Sequence, residues 1–293
     1  MWRIWLAALF WGLNFSAVKT LLEETGPWTL RAAGLTVGGL LLMATTLLAG
    51  KSLAVPRSHW GALVLAAMLN VVGFNIFAVF AQMTMPASRA VIMIYTMPLW
   101  SVIFARIILG EAIDGLRWVA LALGAGGIAL LAQPFWWQAL EGELPLGFAF
   151  VMGAAISWAA GTIYTKRAAI PGDPLSITAW QIGLGAVATT VGMLAFETPR
   201  LDLWRPEIAA TFAYHVVFPQ AAAYVLWFGL MARVSASTLA LGTLLVPVFG
   251  VIGAVVLLGE RPTLTDMAGF ALILAAVVLD QGVRSWRERG ATA

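Results

Sequence analysis

SVIFARIILGE, residues Ser101–Glu111, returns as GVIGAVVLLGE at Gly250–Glu260, with six of eleven positions identical at an offset of 149. Pro98 and Pro247 share that offset, and so do the pairs Ala87-Ser88 and Ala236-Ser237. Nearer the start of each half the offset is 147, where Trp11 meets Trp158, Lys19 meets Lys166 and Pro27 meets Pro174. Trp, Lys, Pro and Glu are scarce among the Leu, Val and Ala of these segments, so their alignment marks an internal duplication. The halves divide at residues 1–138 and 139–293.

Composition says what is duplicated. Of 293 residues, 61% are hydrophobic and 11% charged, against roughly 45–50% and 25% in a soluble domain. Most of the surface must therefore face lipid. A spanning helix takes about 20 apolar residues. Charge and turn residues place ten helices at 2–22, 30–49, 60–82, 87–109, 116–133, 145–165, 175–196, 207–231, 236–258 and 265–282. The first is read as a retained span and not a cleaved signal, because Lys19, Glu23 and Glu24 stand where a small-residue cleavage site belongs. With an odd number of helices in each half, the second half enters the bilayer from the opposite side. The expected architecture is all-α: ten transmembrane helices in two inverted five-helix repeats around a central cavity, an arrangement typical of carriers. Eleven Lys and Arg fall on the side of the termini and six on the other, so the positive-inside rule puts both termini in the cytoplasm.

The duplicated unit, the Pro followed 13 residues later by Gly-Glu in both halves, and the opening patterns Trp11-Gly12-Leu13-Asn14-Phe15 and Trp158-Ala159-Ala160-Gly161 resemble the drug/metabolite transporter superfamily. The similarity is to its ten-helix EamA branch and covers essentially the whole chain. The resemblance implies a cavity lined by the first, third, fourth, sixth, eighth and ninth helices, and export of amino acids, drugs or metabolites across an inner membrane. Tyr95 and the Trp158 helix are similar to aromatic amino-acid exporters, whereas Met97 before Pro98 departs from that pattern.

Pro98 and Pro247 sit inside apolar helices and free the carbonyls of Ile94 and Thr243; they are read as hinges. Glu111 and Glu260 end their helices, where the macrodipole disfavours a carboxylate. Each is expected to pair with a base, Arg106 or Arg117 for Glu111 and Arg261 for Glu260, or to serve as a gate latch. Lys19 and Lys166 either snorkel to opposite interfaces or capture a carboxylate. Trp11, Asn14, Asn75, Tyr95, Trp158 and Tyr224 are the candidate solute-binding residues, since amphipathic aromatics suit apolar or zwitterionic solutes. Gly34-x-x-x-Gly38 and Gly124–Gly127 are assigned to close helix packing.

The deep polar residues Asn14, Asn70, Asn75, Gln82, Gln181, His215 and Gln220 include no acid. A proton antiporter would have only His215 as carrier, so facilitated export is expected, with a proton-coupled multidrug exporter as the alternative. Deep bases are also scarce, which favours a neutral, zwitterionic or hydrophobic solute over a sugar phosphate. An intramembrane enzyme is disfavoured: there are two histidines, no cysteine, and neither HExxH nor GxSxG. No metal or cofactor is implied. The expected partners are a small-molecule solute and the lipid bilayer, with no nucleic acid, in a monomer or weak dimer.

Overall fold

The computed structural model describes residues 2–226 and 245–290, the side chains at 281 and 283–290 excepted. Expectations for Ala236-Ser237, Thr243 and the join of the eighth and ninth expected helices lie outside the described residues. Every regular element among the described residues is helical. In chain order these are α1 (Trp2–Leu21), α2 (Pro27–Leu48), α3 (Arg57–Thr84), α4 (Ala87–Leu109), α5 (Gly115–Leu131), α6 (Gln133–Leu140), α7 (Leu146–Ala168), α8 (Pro174–Phe196), α9 (Pro206–Leu226), α10 (Leu245–Leu258) and α11 (Leu264–Gly290).

Seven of these, α1–α4 and α7–α9, are long and apolar enough to cross a bilayer, where the sequence leads one to expect ten spans. The pair α5 and α6 makes an eighth if taken as one span bent by 56°. The short α6 occupies a stretch expected to be loop; Pro134 in its first turn re-nucleates a helix after the bend. α10 has 14 described residues and α11 has 27.

The helix starts follow from local chemistry. Asp114 accepts from the Arg117 amide at the start of α5, and Asp173 accepts from the Leu175 amide ahead of α8. At α11, Thr263 and Asp266 exchange bonds: Asp266 Oδ2 accepts from the Thr263 amide at 2.9 Å and Thr263 Oγ1 from the Asp266 amide at 3.1 Å. This is a reciprocal cap. Gly110 and Gly259 end α4 and α10 with φ of 73° and 67°, a left-handed turn that glycine adopts without a Cβ clash. That turn is the structural reason for the repeated Gly-Glu.

Packing joins the two halves of the chain. α2 lies along α8 and α5 along α11. α1 packs on α10 and α9, α7 packs on α4 and α3, and α4 meets α10. α2 also touches α9, and α8 touches α3. Exchanging α1 with α7, α2 with α8, α3 with α9, α4 with α10 and α5 with α11 leaves this set of contacts unchanged. Backbones come close where glycines permit. A Cβ on Gly127 would stand 2.9 Å from the Gly269 carbonyl, and one on Gly12 2.7 Å from the Val246 carbonyl. Gly34 and Gly38 serve differently from the expectation: they make room for the side chains of His215 and Gln220 on α9.

Among the described residues, three helices lose regular geometry in mid-span. α3 widens to a π-helix at Met68–Gly73 and α9 at Phe218–Ala222, the latter around Pro219. α4 breaks at Tyr95-Thr96 and restarts at Met97, with Pro98 in the first turn of the new segment. Irregular backbone in a bilayer needs replacement partners. Ser157 of α7 donates to the Leu69 carbonyl at 2.8 Å, and Trp11 of α1 donates to the Pro219 carbonyl at 3.1 Å. Within α3, Asn75 donates to the Val71 carbonyl at 2.9 Å. Each widened turn is thus held by the first helix of the other half.

Candidate functional site

The candidate residues lie in or beside these irregular segments, in two groups. Trp11, Asn14, Asn75, Tyr95, Trp158 and Tyr224 are all half-buried. On one flank the Trp11 and Tyr224 rings meet edge to face at 5.6 Å, and Tyr95 lies within electrostatic range of Tyr224. On the other flank Trp158 meets Phe74 at 4.9 Å, one residue before Asn75. Tyr95 and Pro247 together line a void of about 10 Å³ with Ile92, Ile273, Leu274 and Val277. That volume is close to a single water, so it is slack between α4, α10 and α11 and not a solute cavity. A larger groove of about 340 Å³ lies elsewhere, between α2, α8 and the 199–201 loop.

Polar side chains form two clusters. Asn70 Nδ2 donates to Gln181 Oε1 at 3.1 Å and to Thr165 Oγ1 at 3.2 Å, joining α3, α8 and α7. His215 Nδ1 lies 2.7 Å from Asn14 Oδ1, joining α9 to α1. Arg31 of α2 is close enough to His215 to interact electrostatically and is 4% exposed. Arg31 is one of the six bases expected on the side opposite the termini; the structure buries it. Deep bases are scarce, but this one is inside.

Carboxylates close the helix ends. Glu260 accepts from the Ala87 amide at 2.6 Å, the Ser88 amide at 3.0 Å and Ser88 Oγ at 2.5 Å. It caps the N-terminus of α4, where the dipole favours a negative charge, and does not take Arg261 as the sequence suggested. Glu197 does the same for α2, accepting from the amides of Trp28 at 2.9 Å and Thr29 at 2.8 Å and from Thr29 Oγ1 at 2.7 Å. Nothing in its sequence context announced this, although an acid directly after an apolar span is a usable signal. Glu111 pairs with Lys166 at 2.9 Å instead of Arg106 or Arg117. Arg117 faces Asp280 at 3.5 Å. Lys19 donates to the carbonyls of Gln82 and Met85, tying the end of α1 to the end of α3. At the opposite end Lys51 pairs with Asp173 at 2.7 Å. There burial raises the Asp173 pKa, but the Lys51 ammonium and the Leu175 and Ser176 amides outweigh it and hold the carboxyl below its ordinary value.

Seven apolar spans among the described residues, three of them irregular within their length, mark an integral membrane protein. Sequence comparison makes this specific: residues 2–133 and 145–279 both match the EamA-like transporter family, and the chain belongs to it. The chain is 25% identical to the uncharacterized transporter YvbV of Bacillus subtilis, over 92% of this chain and 88% of that one. It is 26% identical to the uncharacterized inner membrane transporter YedA of Escherichia coli K12, over 92% and 87%. A probable amino-acid metabolite efflux pump of Escherichia coli K12 is 24% identical over 97% and 95%. One crystal structure shares the fold with a TM-score of 0.65 at 21% identity, covering 94% of each chain. The protein is an integral membrane transporter.

Proposed function

We propose that this transporter exports small organic solutes, amino acids or related metabolites, by alternating access between two inverted five-helix repeats, without a coupling proton. The observation that carries the reading is the placement of the breaks. α3, α4 and α9 are irregular in mid-span, and the widened turns of α3 and α9 are held by α7 and α1, the first helices of the opposite halves. A helix interrupted there can bend without breaking a regular hydrogen-bond ladder, so each half can open on one face. The exchange symmetry of the helix contacts supports the inverted repeat and ten spans, and the family match to each half agrees with it.

Facilitated transport is supported by the acids. Asp114, Asp173, Glu197, Glu260 and Asp266 each cap a helix start, and Glu111 and Asp280 face bases. A carrier in the inner membrane with both termini in the cytoplasm fits the charge bias of the loops. The efflux-pump relative supports amino-acid metabolites as the solute class.

Counterflow by purified protein in liposomes, with no ion gradient and a panel of radiolabelled amino acids, tests the proposal. Uptake of one class, competed by its unlabelled members, is the expected result. Uptake only under an imposed pH gradient would replace facilitated export with proton antiport.

A further inference from the structure

Arg31 separates from the other bases drawn into the helix bundle. Arg89 makes two bonds to Asp266, at 2.9 and 2.6 Å. Arg117 faces Asp280, and Lys19 is tied to carbonyls. Arg31 is 4% exposed, yet its Nε has no acceptor, and among the described residues no hydrogen bond or ion pair reaches its side chain. A guanidinium offers five donors and cannot shed its charge in a protein, so burying it without an anion is strongly unfavourable. A fold that keeps such a group withholds a site for an anion from outside the chain.

The neighbouring ring points to a second contact. His215 is fully buried. Its Nδ1–H donates to Asn14 Oδ1, so Nε2 of the neutral ring carries a lone pair, and Nε2 has no partner. Nε2 lies over Gly34, one turn along α2 from Arg31, where a Cβ would stand 2.6 Å away. An unused cationic fork and an unused acceptor therefore lie about one turn of α2 apart, within electrostatic range of each other. The fork matches a carboxylate bidentately, and the acceptor matches an N–H. A solute carrying both groups on one carbon satisfies the two together.

We propose that Arg31, His215 and Asn14 form a recognition site for the α-carboxylate and α-ammonium of an amino acid, Arg31 holding the carboxylate and His215 Nε2 accepting from the ammonium. The proposal rests on the transport reading above and names its solute class. The structure holds the site closed: Leu30, Ile208, Phe212 and Val216 pack as one apolar cluster on α2 and α9. Entry requires α9 to move off α2, and the widened turn at Phe218–Ala222 lies just beyond His215 for such a movement.

The test is ligand-induced thermal stabilisation of the full purified chain in detergent, with three pools: the twenty common amino acids, their carboxamides, and the matching 2-hydroxy acids. The amino-acid pool is expected to raise the melting temperature, the hydroxy acids less, and the carboxamides not at all. Arg31→Gln should raise the half-saturating concentration about tenfold or more, as expected for losing a charge-assisted pair. Arg31→Lys should recover part of that loss. Carboxamides as effective as the acids, a response in Arg31→Gln equal to that of the parent, or no stabilisation by either carboxylate pool would each overturn the proposal. If Arg31→Gln does not fold, Arg31→Lys and Asn14→Ala carry the same comparison. Failure of the transport reading looks different: stabilisation by amino acids without counterflow. Counterflow of amines or amides that lack a carboxylate would leave the transporter standing and remove this site.

Discussion

Two trios of helices occupy corresponding places in the halves of this chain and treat polar groups in opposite ways. In α7, α8 and α3, Asn70 donates to both Gln181 and Thr165, and Thr165 donates on to the Gly161 carbonyl. The cluster is neutral and nearly closed, with Asn70 Oδ1 its one buried side-chain atom lacking a partner among the described residues. In α1, α2 and α9 the groups are Asn14, Arg31 and His215, carrying a fixed charge with no counter-ion among the described residues. At the offset of 147, Asn14 corresponds to Gly161 and Arg31 to Thr178. On the reading proposed above, duplication supplies a scaffold that can open on either face, and divergence at a few positions separates a static clamp from a place for a charged ligand.

That contrast can be broken by substitution. The largest effect is expected at a cap the contrast does not involve: Glu260→Ala removes three bonds to the first turn of α4 and should cost up to about 3 kcal/mol, read by thermal unfolding in detergent. Within the static trio, Asn70→Leu should cost about 2 kcal/mol, because Gln181 is left with a buried, unmet acceptor. Within the charged trio the sign reverses. Arg31→Met should stabilise the ligand-free protein by about 1 kcal/mol, since it removes an uncompensated buried charge, while abolishing amino-acid stabilisation. Equal destabilisation by Asn70→Leu and Arg31→Met would erase the distinction between the trios. The smallest effect belongs to Lys166→Ala: its pair with Glu111 is 65% and 41% exposed and should be worth less than about 1 kcal/mol.

The sequence was informative wherever a rare residue recurred. Pro, Trp and Gly-Glu at fixed offsets are conspicuous in apolar helices, and the corresponding turns and breaks are present at Pro98, Gly110 and Gly259. Residues that differ between the halves were harder to read. A helix apolar all round has little amphipathic signal, so nothing told that Arg31 turns inward instead of snorkelling. The widened turn of α3 ends on Gly73 and that of α9 contains Pro219, but a lone Gly or Pro in an apolar span marks a break without telling its kind. Partner choice was the least legible: Glu260 takes the amides of Ala87 and Ser88, which are distant in sequence and unremarkable in type. The bend between α5 and α6 was hidden because Trp136 and Trp137 read equally well as loop or as interfacial helix.

The central claim is that the two faces open in alternation. The chain has no cysteine, so spin labels can be placed without background. One labelled pair, Glu23→Cys with Thr84→Cys, would span the ends of α1 and α3. A second, Ile107→Cys with Arg167→Cys, would span the far ends of α4 and α7. Pulsed dipolar spectroscopy in lipid nanodiscs, with and without the amino acids that give counterflow, should show one distance lengthening as the other shortens. Distances that move together, or that do not respond to a transported solute, would contradict the account.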